Sequence, residues 1–365
     1  MHDDHIATTG LIAARHRVRC PDLLLALAAA WGVAAHVEPS RAFSTCVTSA
    51  AELQQALTDA SDGGVHTGEN TSIAVAAGTY ATGAATGNGP FHYSSTGVGS
   101  LTIEGGYDAN CNYSPSAGTP AILDGQHATA VLSLRSTNSN ISLVQLTIQN
   151  GESTSPGAGL QINYQVSGSA DAAQLYGLII RNNHTTSNAG GLYAENTSLY
   201  GTVISGNSAD GQFGGGFVTA NTFQLIYKVT VAKNTAGASS NPIGGLLCAN
   251  SGSCRIYDSI FWNNTNYGLY LQDAGALLEY NDYGMRGGTA PTLEKNRLQI
   301  DPQFGAPNAG DFHLAAGSPA LSYGVSPGGS TPDPDGRRIP SAGAVDLGAY
   351  EDTIFGDGYE GGTVP

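Results

Sequence analysis

The side chains with the clearest chemical potential are four cations and four acids spread through the middle of the chain. Lys228, Lys233, Arg181 and Arg255 are candidate bases, and Asp210, Asp258, Asp273 and Asp282 are candidate Ca²⁺ ligands. A base beside carboxylate-held Ca²⁺ is what β-elimination on a uronate requires, because the metal acidifies the proton alpha to the sugar carboxylate. No local motif ties these eight residues together, and a solvated charge or a turn residue is the plainer reading of each. Asp124-Gly125 reads as a turn dipeptide, and His127 and His184 read as solvent-facing. The expected catalytic set is therefore empty. Binding has more material to work with. Tyr193, Tyr227, Tyr257, Trp262, Tyr267 and Tyr270 fall in the same stretch, with Tyr200, Tyr280 and Tyr283 beside them. Aromatic faces stack on sugar rings while a hydroxyl or indole N–H stays polar. The first six are the candidate ligand-facing residues, set against the simpler reading that such rings fill a core.

What positions them is a repeat running from about Leu146 to Tyr283. Five copies read LTIQNGESTSPGAGLQI, LIIRNNHTTSNAGGLYAENTSL, TVISGNSADGQFGGGFVTANTF, VTVAKNTAGASSNPIGGLLCANSG and SIFWNNTNYGLYLQDAGA. Each opens on a β-branched or aromatic run ending in Asn, then a polar spacer, a glycine and a second short apolar run. The Asn marks fall at Asn150, Asn183, Asn207, Asn234 and Asn264, and the glycines at Gly159, Gly191, Gly216, Gly245 and Gly268. A spacing of roughly 23 to 33 residues is that of a solenoid. Runs of four or five apolar residues cannot bury themselves alone, so copies must stack. Their Ile, Val, Leu and Thr content, without helical periodicity, makes them strands. Stacking places each Asn over the next, where side-chain amides form a hydrogen-bonded ladder. The expected fold is all-β: a right-handed parallel β-helix solenoid with an N-terminal capping helix.

Composition agrees. Fifty Gly and 12% charged residues, with ample Val, Ile, Leu and Tyr, fit a turn-dense β protein rather than a disordered one. A formal net charge of -15, with Lys only at 228, 233 and 295, argues against a nucleic-acid partner, whose phosphates need Lys and Arg. Residues 1–44 read as a secretory signal: Arg15, Arg17 and Arg19 precede the apolar run Leu23–Ala35, which is short for a membrane span, and Ala42-Phe43-Ser44 offers a cleavage site. An uncleaved anchor is the competing reading. Cys20 would leave with that signal. Cys46, Cys111, Cys248 and Cys254 remain, an even set for an oxidising compartment. Three pairings are open, and proximity favours Cys46 with Cys111 and Cys248 with Cys254.

Ser49-Ala50-Ala51-Glu52 is a capping box, and AELQQALTDA puts Leu53, Ala56, Leu57 and Ala60 on one helical face. The strand IAVAAGTY follows at 73–80. This helix, strand and AGTY, with LTIEGGYDANC at 101–111 and AILDGQHATAVLSL at 121–134, resemble the opening of the pectin-lyase-like superfamily. The repeats resemble those of polymorphic outer-membrane proteins, with one literal FxxN at Phe261–Asn264. Near the end, Asp301-Pro302-Gln303-Phe304, Asp311-Phe312-His313-Leu314, Gly317-Ser318-Pro319-Ala320, Asp333–Arg337 and Val345–Glu351 together resemble a choice-of-anchor Q module, in which SPALSYG stands for the usual SPAIDAG. The resemblance implies an exported bacterial surface or secreted protein divided into a signal at 1–44, a β-helix at 45–300, the module at 301–351 and a tail at 352–365. Its pectin-degrading members hydrolyse through an N-x-D, an Asp pair, a Gly-His-Gly and an Arg-x-Lys, which the mature chain lacks; Arg255-Ile256-Tyr257 stands where the last would be. Asp301, Asp311, Asp333, Asp335 and Asp346 leave room for Ca²⁺ without EF-hand spacing, and no other cofactor is expected. The functional expectation is a monomeric, non-catalytic, adhesin-like binder of a polysaccharide or cell-surface glycan. A lyase or hydrolase on acidic polysaccharide and a purely structural surface passenger are the alternatives.

Overall fold

The computed structural model describes residues 42–352, apart from 116–119, 165–172, 221–222, 238–239, 251–252, 273 and 327–330. The expected leader apart from its last three residues, Cys20, Asp273 and the tail beyond Asp352 lie outside the described residues.

Four sheets are entirely parallel. The first, of ten strands, runs from Ala42–Val47 to Leu293–Lys295. The second and third have eight each, from Gly78–Ala81 to Asp282–Tyr283 and from Phe91–Ser95 to Arg286–Gly288. A fourth pairs two-residue strands, Glu152–Ser153, His184–Thr185, Ser208–Ala209 and Thr235–Ala236. Each turn of the chain gives one strand to each long sheet, so Ala173–Tyr176, Ile179–Arg181 and Leu192–Glu195 pair with Thr197–Tyr200, Val203–Ser205 and Gly216–Ala220 of the next turn. Alternation along each strand turns one residue set inward. Leu175, Ile180 and Leu192 of one turn then join Leu199, Ile204 and Val218 of the next in one continuous core. Long parallel sheets of this kind are compatible with the expected β-helix.

The helix Ala50–Ala60 buries the face read from its spacing, Leu53, Ala56, Leu57 and Ala60. Its cap differs slightly from a reciprocal box. Ser49 Oγ accepts the Glu52 N–H at 3.3 Å, while the Glu52 carboxylate reaches back one residue further and accepts the Thr48 N–H at 2.7 Å. Ser49→Ala is expected to lower unfolding free energy by about 1 kcal/mol, read by urea titration. Disulfides join Cys46 to Cys111 and Cys248 to Cys254, the pairing that proximity favours, and such bridges suit an oxidising compartment. Among the described residues no helix is long and apolar enough to cross a membrane.

The Asn ladder starts one copy later than its first mark. Asn183, Asn207 and Asn234 each pass a side-chain N–H to the amide oxygen of the next copy's Asn, ending at Asn264, over 2.9, 3.0 and 2.9 Å. Asn150 is not a member. Register pairs it with Asn182, and both hold φ 55° in the left-handed region. Its side chain donates to Asp124 Oδ2 at 2.9 Å instead. The inward position of that copy is Gly151, whose N–H donates to Asn183 Oδ1 at 2.7 Å. The glycine column answers the ladder. A Cβ on Gly191 would lie 2.8 Å from the Asn207 amide carbon and 2.5 Å from the Gly215 carbonyl oxygen. Gly215, rather than Gly216, occupies that column in the third copy, because Gly216 pairs with Leu192.

The described residues between 301 and 352 fold back along the outside of the first and second sheets. Phe312, Ala349 and Tyr350 pack on Val203 and Ala232; Leu314, Ala320 and Leu347 pack on Ile260; Ile339 and Val345 pack on Tyr227. Lys228 is fully buried at this contact, 2.9 Å from Glu351 and donating also to the carbonyls of Asp346 and Tyr350. The segment's own acids mostly accept backbone N–H groups. Asp333 takes those of Asp335, Arg337 and Glu351, Asp346 those of Ser322 and Asp352, and Asp301 and Asp311 those two residues on.

Candidate functional site

Outward-facing residues of the third sheet form a continuous row. Because strands pair in register, His92, Ser133, Gln161, Tyr193, Phe217, Leu247 and Tyr270 stand side by side on seven successive strands. The last four make an apolar stripe. Tyr193 and Phe217 stack with centroids 5.1 Å apart and planes 17° from parallel, and Phe213 stacks on Phe217 at 5.7 Å. Tyr267 meets Tyr270 edge-on at 5.7 Å, and Leu247, only 4% exposed, lies in the same cluster over Ile243. Tyr270 leans over the bare backbone of the next strand, where a Cβ on Gly287 would be 2.5 Å from its ring. Glu195 flanks the stripe, its carboxyl pKa raised by burial; burial, then Glu195, raises the Tyr193 phenol. Among the described residues, none of the C-terminal segment belongs to this cluster.

The six candidate aromatics therefore separate. Tyr193, Tyr267 and Tyr270 share the third-sheet face. Tyr257 and Tyr227 belong to a different row on the first sheet, continuing through Tyr200 to Tyr176, and Tyr227 is 3% exposed under Ile339 and Val345. Trp262 packs beside Phe304 and lines a recess of about 250 Å³ with Lys233, Pro307 and Asn308. Phe213, Phe217 and Leu247 were missed. The signal for two of them is positional: the residue two after each column glycine, Gly191, Gly215, Gly245 and Gly268, is Tyr193, Phe217, Leu247 and Tyr270.

No family model, curated protein or solved structure matches the chain. Function has to be argued from the side chains.

Among the described residues, the candidate eliminase residues do not gather into one open site. Lys228 is buried against Glu351; Lys233 donates to Asn308 and the Pro307 carbonyl; Arg181 Nε donates to Gln149 at 2.9 Å. Arg255 stands on the outer face of the first sheet. Asp258 and Asp282 are both fully buried, and burial pushes each carboxyl up to about 7. Asp210 faces His184, whose Nδ1 is 2.7 Å from Glu152 and whose Nε2 is 3.4 Å from Asp210. The hydrogen bond to Glu152, more than any other contact, holds the His184 pKa above its ordinary value. The half-exposed imidazole thus bridges Glu152 and Asp210 on either side of its own strand in the fourth sheet; it is not the freely solvated His expected. His127, also expected to face solvent, is exposed. Among the described residues, no three His, Cys, Asp or Glu side chains are placed to hold a metal ion. A cleft of about 400 Å³ between the second sheet and the C-terminal segment is lined by Gln145, Thr147, Asp335 and Arg337. Its Arg337 turns back to the Glu351 carbonyl at 3.3 Å.

Proposed function

We propose that the chain is an exported right-handed parallel β-helix protein that binds glycan, without catalysis, on the outer face of its third sheet. The observation that carries this reading is the contrast between two aromatic rows. The tyrosine row of the first sheet lies partly beneath the C-terminal segment, whereas among the described residues none of that segment joins the apolar cluster of Phe217, Leu247 and Tyr270. Rings in a row, two of them with phenol hydroxyls, offer sugars both apolar contact and hydrogen bonds. Two disulfides support an extracytoplasmic setting.

A glycan array probed with the wild type and with Phe217→Ala and Tyr193→Ala tests it. The expected result is binding to a restricted glycan set, weakened about tenfold or more by each variant, with unchanged circular dichroism. Binding that survives both substitutions, or no binding above background, would sink the reading.

A further inference from the structure

On the strength of that glycan-binding reading, the charge and the direction of the row narrow the ligand further. The four strands that bear the stripe read LYAE, GFVTA, LLCAN and LYL, with no Lys or Arg among them. Glu195 is their one charged residue. The second outward row on the same sheet carries Arg135, Asn163, Glu195, Thr219 and Ala249, so its single cation is offset by a single acid. A polyuronate would need cations to offset its carboxylates, and in a chain of net charge -15 it would meet general repulsion as well.

Direction comes from register. The row runs along the stacking axis, across strands spaced by about 4.8 Å, so seven strands extend it over roughly 29 Å. It has two chemically different halves. Tyr193 to Tyr270 is predominantly apolar, and His92, Ser133 and Gln161 are hydrogen-bonding groups. Ser133 Oγ and Gln161 Oε1 lie 3.4 Å apart, presenting adjacent donors and acceptors. The pyranose repeat of an extended glycan is close to the strand spacing, so about one sugar falls on each strand.

We propose that this row takes a neutral, unbranched glycan lying along the stacking direction, with its C–H faces on the Tyr193, Phe217 and Tyr270 rings that flank the buried Leu247 and its hydroxyls on Gln161 and Ser133.

Calorimetric titration of the whole protein tests this with two sets of probes. One set holds the β-1,4-linked glucose, xylose and mannose oligomers of about two to eight units; the other holds oligogalacturonates of the same lengths. At least one neutral series is expected to tighten with length up to about seven units and then level off. Phe217→Ala weakens every length about tenfold. Gln161→Ala, which leaves the aromatic half intact, weakens only oligomers longer than about four units. Oligogalacturonates that bind as well as the neutral series, or neutral oligomers with no length dependence, would overturn the inference while leaving glycan binding in place. So would a protein that is positive on the array but binds none of the neutral series. Absence of binding to any glycan would remove the proposed function itself.

Discussion

Asp258→Asn is expected to raise stability at pH 8 by up to about 4 kcal/mol and to change it by less than about 1 kcal/mol near pH 4. Asp258 is fully buried where residues 324–325 cross the first sheet's turn. Its Oδ1 accepts the Val325 N–H at 3.2 Å, and its Oδ2 has no hydrogen-bond partner. Burial is the leading cause that pushes this carboxyl up to about 7 from an ordinary 3.8; the Val325 N–H and Lys228 pull it down by less. The folded chain therefore holds the proton more tightly than the unfolded chain does. Its stabilising contribution is whole below pH 3.8 and is lost as pH climbs to about 7. Asn keeps the acceptor for Val325 and never ionises. Asp282, with the same orphaned Oδ2 and a carboxyl also pushed to about 7, adds a second loss over the same window. His313 extends the trend. Hydrogen bonds to Asp335 and then Asp352 raise its pKa to about 10, so its contribution is whole below 6.5 and disappears on the way to pH 10. Urea unfolding across pH 4–9 reads the whole effect. A flat wild-type profile between pH 4 and 7, or an Asn variant less stable than wild type at pH 8, would contradict it.

All three groups touch residues 298–352, so the same titration bears on the C-terminal segment's grip. Asp258 meets Val325, Asp282 accepts the Ile300 N–H, and His313 joins two acids of the segment. At Gly324 only a bare backbone passes, since a Cβ there would lie 2.6 Å from Asp258 Oδ1. None of this was legible from spacing. In the amino-acid sequence Asp258 is one more acid after a strand, and nothing local says that a segment some 65 residues later will seal it from water. The same limit explains the aromatics. Tyr193 and Tyr227 sit in similar short strands, and the return of Ile339 and Val345 over Tyr227 separates a half-buried ring from a covered one. Local rules did better where the determinant was local. The helix face follows from 3.6-residue spacing, the strands from their β-branched runs, and the disulfides from proximity.

The ladder shows where local reading loses register by one residue, and it supplies the other large expected effect. Two adjacent positions in each repeat welcome Asn for different reasons. One is left-handed, occupied by Asn150, Asn182, Gly206, Lys233 and Asn263 at φ between 53° and 63°, where Asn and Gly are least strained. The next points inward and needs an amide. Asn182-Asn183 and Asn263-Asn264 fill both, so composition alone cannot say which Asn of a lone mark, such as Asn150, faces the core. Substitution can. Asn207 is fully buried; its Oδ1 accepts the Asn183 N–H at 3.1 Å and the Asn183 side chain at 2.9 Å, and its Nδ2 donates to the Ile180 carbonyl at 2.9 Å. Asn207→Ala strands these partners in a dry interior and opens a gap against Gly191. The expected loss is about 3–5 kcal/mol. Asn150→Gly keeps the left-handed backbone and loses one half-exposed bond to Asp124, so its loss should stay below about 1 kcal/mol. Urea midpoints for the pair decide the register: comparable losses, or a larger one at Asn150, would place the ladder one residue earlier than its hydrogen bonds do.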